Sequence, residues 1–181
     1  LLPFFLQEIL KYNALVTGLL ILPYSLTLAI TAPIAGRLSG KYGSKILTRL
    51  GPATYCIALF MFTIYDKNAT MWQIILASGI MGIGNGLFQS PSNNAIMTSV
   101  KKEELGLASG ILALARNLGN ILGVAVTITL FETFRHLFIE YGQVYENAFL
   151  ASYRTTMCFG ILFGLTCLAF AYVAYKNEAK S

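Results

Sequence analysis

Hydrophobic positions in this chain run in long unbroken stretches, without the alternation of a half-buried strand or the one-sided stripe of a surface helix. Residues 12–36 carry no charge, and neither do residues 50–65, 68–100 or 155–175. Residues 105–131 carry a single one, Arg116. A helix rises 1.5 Å per residue, so about 20 residues cross a hydrocarbon core of roughly 30 Å. The stretches are continuous, which favours helices over the alternating strands of a membrane barrel. The pattern predicts transmembrane helices over residues 13–36, 46–65, 71–98, 105–131 and 154–175. Residues 1–7, Leu-Leu-Pro-Phe-Phe-Leu-Gln, read as the end of a further helix whose beginning is cut off. The fold class expected is therefore all-α and integral to the membrane, with five complete helices. Connections are expected at 37–45, at 132–153 (the longest) and as a tail over 176–181.

Composition agrees with this reading: 56% of the 181 residues are hydrophobic and only 12% are charged, about half the usual share of roughly 25%. A soluble surface cannot be covered by so few charges, and the apolar content excludes disorder. The sign of the charges then sets orientation. Arg37, Lys41, Lys45, Arg49, Lys101, Lys102, Lys176 and Lys180 fall at one end of the predicted helices. Lys11, Lys67, Arg135 and Arg154 fall at the other. The excess of basic residues marks the cytoplasmic side, so the 37–45 loop and the C-terminus are expected in the cytoplasm and 132–153 outside. Tyr141, Tyr145, Phe149 and Tyr153 in that outer segment are expected at the membrane interface. The net charge of +5 is explained by topology, and nucleic-acid binding is not expected.

The loop Gly36-Arg37-Leu38-Ser39-Gly40-Lys41-Tyr42-Gly43-Ser44-Lys45 joins two helices tightly, with glycines for the bend and basic residues against the anionic leaflet. It resembles the cytoplasmic loop motif of the major facilitator superfamily, in which Gly36, Leu38, Lys41, Gly43 and Lys45 match. Gly40 stands where that family usually has aspartate, and Ser44 replaces a basic residue. A degraded copy of this kind resembles the family's second half. Gly82-Ile83-Gly84-Asn85-Gly86-Leu87-Phe88 with Pro91, Gly106-Leu107-Ala108-Ser109-Gly110, and Ala115-Arg116-Asn117-Leu118-Gly119 look like the 14-span drug:proton antiporter branch. So do Leu2-Pro3-Phe4-Phe5-Leu6-Gln7 and Gly18-Leu19-Leu20-Ile21-Leu22-Pro23. The resemblance implies the C-terminal six-helix half of a carrier, its first helix truncated. The partners it implies are the lipid bilayer, a missing N-terminal half, and a small amphipathic substrate with protons.

Polar residues within the helices are the candidate site. At 100° per residue, Ser78, Gly82, Asn85, Gln89 and Asn93 share one stripe of the 71–98 helix, and Ser109, Arg116, Asn120 and Thr127 share one of the 105–131 helix. Arg116 lies about 18 Å into its helix, near the midplane, where a charge needs a cavity or a partner. No carboxylate in the chain lies at that depth, so an ion-pair partner, if there is one, is expected in the missing half; the alternative is that Arg116 bonds backbone carbonyls and Asn side chains and holds helices together. The substrate-cavity candidates are Asn85, Gln89, Asn93, Arg116 and Asn120, on the hypothesis that the two stripes face one cavity; their other reading is as interhelical links. Gly82 and Gly86, and Gly119 and Gly123, are candidate helix-packing pairs. The resemblance further implies that Gly119 and Gly123 lie at a packing interface used in alternating access. Met81, Phe88 and Met97 would suit a loose apolar pocket. Cys56, Cys158 and Cys167 lie within helices and are read as packing residues, and His136 as interfacial. No cofactor or metal is expected, since no spacing suits one. Catalysis is not expected either, because no loop gathers a nucleophile, a base and an orienting group. Function then reads as secondary transport, with proton-coupled drug efflux first. Export of a metabolite, peptide or siderophore, or a truncated chain or scaffold that does not transport, are the alternatives.

Overall fold

The computed structural model describes residues 1–178, with backbone alone for Tyr42 and for 173–178. All its regular structure is helical. A short helix, α1 (Leu2–Phe4), continues as one wider π turn over Phe5–Ile9. Five long helices follow: α2 (Ala14–Tyr42), α3 (Ser44–Ile64), α4 (Met71–Ser99), α5 (Leu105–Glu140) and α6 (Tyr145–Glu178). All five are long and apolar enough to cross a membrane. The chain is thus an all-α, multi-pass membrane protein.

The helices exceed the predicted spans, and this changes two connections. Residues 37–42, expected in a loop, continue α2, and Gly43 alone separates α2 from α3. Its φ of 83° and ψ of 154° lie in a region that only glycine enters without strain. Residues 132–153, expected as a long outer connection, are helical except for 141–144. Charges end the apolar run at Glu132 but not the helix, because intrahelical hydrogen bonds satisfy the backbone in water as well as in lipid. Glu132 and Arg135, three residues apart, pair across one turn at 2.5 Å. At 1.5 Å per residue the 36-residue α5 is about 54 Å long, more than a membrane core requires. Of the expected tail, 176–178 belong to α6, and 179–181 lie outside the described residues.

Helix α4 packs between α2 and α3, α3 also packs on α6, and α6 on α5. Consecutive α2 and α3 touch each other little. Glycines explain why α4 can occupy the middle. Gly82 and Gly86, one turn apart, face α2, where a Cβ would collide with Thr27 and the Tyr24 carbonyl, or with Thr31. Gly84 lies two residues on, about 200° round the helix, and faces Gly51 and Tyr55 of α3. Thr27 adds a cross-link by donating from Oγ1 to the Gly79 carbonyl at 2.9 Å. At the other contact, Gly160 and Gly164 of α6 lie against Leu59 and Cys56 of α3.

The core lies at the end opposite the Gly43 turn. Phe5, Leu6, Phe62, Ile74, Phe131, Phe149 and Tyr153 are buried there. Phe149 and Tyr153, expected at the interface, are core residues: Phe149 meets Phe131 edge-on and Tyr153 stacks on Phe5. Tyr141 and Tyr145 are exposed. An ionic rim surrounds this core. Glu8 accepts from the Tyr145 hydroxyl, Lys67 pairs with Glu146, and Arg154 with Asp66.

Overpacking the α3–α4 crossing should be costly. Gly84→Leu is expected to destabilise the fold by about 1–3 kcal/mol, as enlarged side chains do in filled interiors. Gly18→Ala, where a Cβ meets nothing within 4 Å, should not destabilise it. Thermal unfolding in detergent compares the two.

Candidate functional site

The two polar stripes meet at one point. Arg116 on α5 donates from Nη2 to Oδ1 of Asn93 on α4 at 2.9 Å. Within this chain the charge therefore meets a neutral amide, an asparagine of the kind that the interhelical-link reading names. One turn further along α5, Asn120 lines a cavity of about 300 Å³ together with Asn85, Phe88, Tyr55 and Cys167. Asn85 also donates from Nδ2 to the Tyr24 hydroxyl of α2 at 2.6 Å. Gln89 is half-buried. Asn85 and Asn120 thus share a cavity wall, while Asn93 and Arg116 join the same two helices on the side of the basic loop.

Other members of the stripes go elsewhere. Ser109 donates to the Gly106 carbonyl of its own helix. Ser78 is buried and lines a second, larger cavity of about 420 Å³, as do Thr127 and Met81. Met97 is half-buried. Among the described residues Gly119 and Gly123 meet nothing within 4 Å, and neither do Gly106 and Gly110, so the packing role expected of them has no counterpart there. Phe131 is the one buried residue of α5.

Tyr24 and Tyr55 border the candidate site and were missed by sequence reasoning. Tyr55 lines both cavities, and Tyr24 lines the larger one while binding Asn85. A tyrosine deep in an apolar span is a usable signal, because a buried phenol needs a partner for its hydroxyl. The loop motif is also anchored to α4. Gly36 lies against Ser90, and buried Ser39 accepts from Asn94 Nδ2 at 3.3 Å while donating to the Gly36 carbonyl. Leu38, Lys41 and Lys45 are exposed at that end. Cys56 is half-buried, Cys158 and Cys167 are exposed, and none is in a disulfide. His136 is exposed. Among the described residues, no three acidic, histidine or cysteine side chains gather as a metal site would require.

The model of the Major Facilitator Superfamily matches residues 1–181. The chain belongs to this superfamily. It is similar to the uncharacterized transporter YebQ of Escherichia coli, 37% identical over 74% of this chain and 29% of that protein. It is also similar to the multidrug resistance protein Stp of Mycobacterium tuberculosis, 34% identical over 67% of this chain and 22% of that protein. The riboflavin transporter RibZ of Clostridioides difficile is 29% identical over 88% of this chain and 36% of its own length. The chain thus spans well under half the length of these relatives.

If the Arg116–Asn93 bond links α4 to α5 energetically, the pair is coupled. Arg116→Ala, Asn93→Ala and the double variant should give a coupling of about 0.5–2 kcal/mol in a double-mutant cycle of unfolding. Additive losses would mean that the bond does not hold the helices together.

Proposed function

We propose that this chain forms part of a proton-coupled exporter of amphipathic drugs that works by alternating access, and that the α4–α5 polar face lines its substrate path. The observation that supports this most is the placement of polar groups on a loosely held helix. Asn85 and Asn120 border one cavity, Arg116 reaches Asn93, and α5 is otherwise exposed over most of its length. Asparagine and glutamine can orient varied ligands through donors and acceptors without a fixed charge. Phe88 supplies an apolar wall. Gly119 and Gly123, open on the same helix, suit close packing against another half of the carrier. The basic end, with Lys41 and Lys45, is the cytoplasmic one in this reading, and so is the C-terminus.

Relatives named as multidrug resistance proteins favour a drug as substrate. A metabolite is the second reading, favoured by the match to a riboflavin transporter over 88% of the chain.

Transport by the full-length protein tests the proposal. In proteoliposomes holding a proton gradient, adding the amphipathic cation ethidium should dissipate the gradient. Arg116→Ala should slow this at least tenfold, which corresponds to about 1.4 kcal/mol. If riboflavin moves and ethidium does not, the metabolite reading replaces the drug reading.

The lining role has its own test. In a background free of native cysteines, Asn85→Cys, Gln89→Cys and Asn120→Cys should react with a water-soluble maleimide, and substrate should slow the reaction. Absence of labelling at all three positions would remove them from the path.

A further inference from the structure

A primary amide has a donor end and an acceptor end, so a neighbour that engages one end leaves the other to a ligand. Asn93 is fixed in this way by chemistry alone. A guanidinium carries only donors, so Asn93 must turn its oxygen to Arg116, and the 2.9 Å bond to Oδ1 shows that it does. Nδ2 of Asn93 has no partner among the described residues and keeps accessible surface. Asn93 therefore presents a donor.

Asn85 is fixed the other way round. Its Nδ2 donates to the Tyr24 hydroxyl at 2.6 Å, while its Oδ1 accepts nothing among the described residues and also keeps accessible surface. Asn85 borders the cavity of about 300 Å³, so it presents an acceptor there. Asn120, on the same cavity wall, has no side-chain hydrogen bond among the described residues and can turn either end to a ligand.

The polar face thus has a direction. An acceptor stands at Asn85, and donors stand at Asn93 and Arg116, eight residues or about 12 Å further along α4 toward the basic end. These orientations are set by bonds among α2, α4 and α5 and need no empty space to exist. Around Asn85 the wall is apolar, with Phe88 and Pro52.

We propose, on the reading of this face as the substrate path, that it selects an elongated neutral or anionic compound with a hydroxyl or N–H at the Asn85 end and an acceptor, best a carboxylate, at the Arg116–Asn93 end. Tyr24 is a positioning residue in this selection. It holds the Asn85 amide so that its oxygen faces the ligand, without touching the ligand's donor itself.

Calorimetric binding to the full-length protein in detergent tests this, with 4′-hydroxybiphenyl-4-carboxylate and its 4′-methoxy ether as probes. Both are rigid and close to the required length, and only the first can donate at the far end. The hydroxy compound should bind at least fivefold more tightly than the ether. In Tyr24→Phe the amide of Asn85 is released to turn either end, so this ratio should fall below twofold, chiefly through tighter binding of the ether. Asn85→Ala should remove the preference as well. Asn93→Ala should weaken both compounds alike, at least threefold, and keep the ratio. The 4-aminomethyl analogue, a cation with donors only at that end, should bind at least tenfold more weakly than the carboxylate. A ratio of two ligands on one preparation does not depend on the fraction folded, so a merely structural loss in a variant would leave it unmoved. The proposal is overturned by a wild-type ratio near one or reversed, by a ratio that Tyr24→Phe leaves unchanged, by equal or tighter binding of the aminomethyl cation, or by binding of neither acid. Failure of the transport reading looks different: the ratio and its loss in Tyr24→Phe persist, but neither compound crosses the membrane of proteoliposomes under a proton gradient.

Discussion

Inside a bilayer, helices gain nothing from hiding apolar surface from one another, because lipid tails are as apolar as leucine. What holds them together is close contact, and close contact needs positions without side chains. Gly82, Gly84 and Gly86 provide this on two opposite faces of α4 at once. The spacing of two residues turns the helix by about 200°, so alternate glycines serve α2 and α3 in turn. Most other contacts follow from that. With α4 seated between them, α2 and α3 need little contact of their own, and the single residue Gly43 suffices to join them. The outer face of α3 is then free for α6, where Gly164 meets Cys56.

Helix α5 is outside this arrangement. A Cβ on its glycines would meet nothing within 4 Å among the described residues, and it is held chiefly by α6 and by the Phe131–Phe149 contact near one end. Toward the basic end it is linked to α4 by Arg116 and Asn93. One side of the bundle is thus fixed by backbone contact and the other by side-chain hydrogen bonds. The second kind is the more easily exchanged, since a hydrogen-bonding side chain can trade one partner for another and a backbone contact cannot.

Much of this architecture was legible in the sequence because hydrocarbon imposes a strict rule on length and charge. Uncharged runs announced five helices; Gly82 and Gly86, read as a candidate packing pair, lie against α2. The rule says nothing beyond the membrane edge, so residues 132–140 and 145–153 were misread as a connection when they extend α5 and α6. Aromatic residues there looked interfacial by composition. Phe149 and Tyr153 are instead buried, because residues near one end of all the elements converge on a single core, and convergence is a property of packing that no single helix encodes. The polar stripes were visible as periodicities. Which member turned to which cavity was not: Ser78 and Asn85 share a stripe yet line different walls. Tyr24 and Tyr55 lay on no stripe that the reading had singled out.

Arg116 constrains how α5 can sit in the membrane. A guanidinium has five N–H donors, and Asn93 accepts from one of its nitrogens. Lipid cannot satisfy the others, and a charge facing lipid at mid-depth costs at least about 2.5–3.5 kcal/mol. On the helical wheel, Leu107, Ile111, Leu114, Leu118 and Leu122 cluster within about 80°, and Arg116 stands roughly opposite their centre, beside Asn120. All five of these apolar residues are exposed. The apolar stripe is the face lipid can cover, and Arg116 is then turned inward, toward water or a polar surface. A neutral amide as partner leaves the full positive charge in place there. That charge repels cations and attracts anions unless a carboxylate from elsewhere in the carrier answers it. For a cationic drug to pass along this face, its counter-charge must come from outside these helices; a neutral or anionic compound needs none.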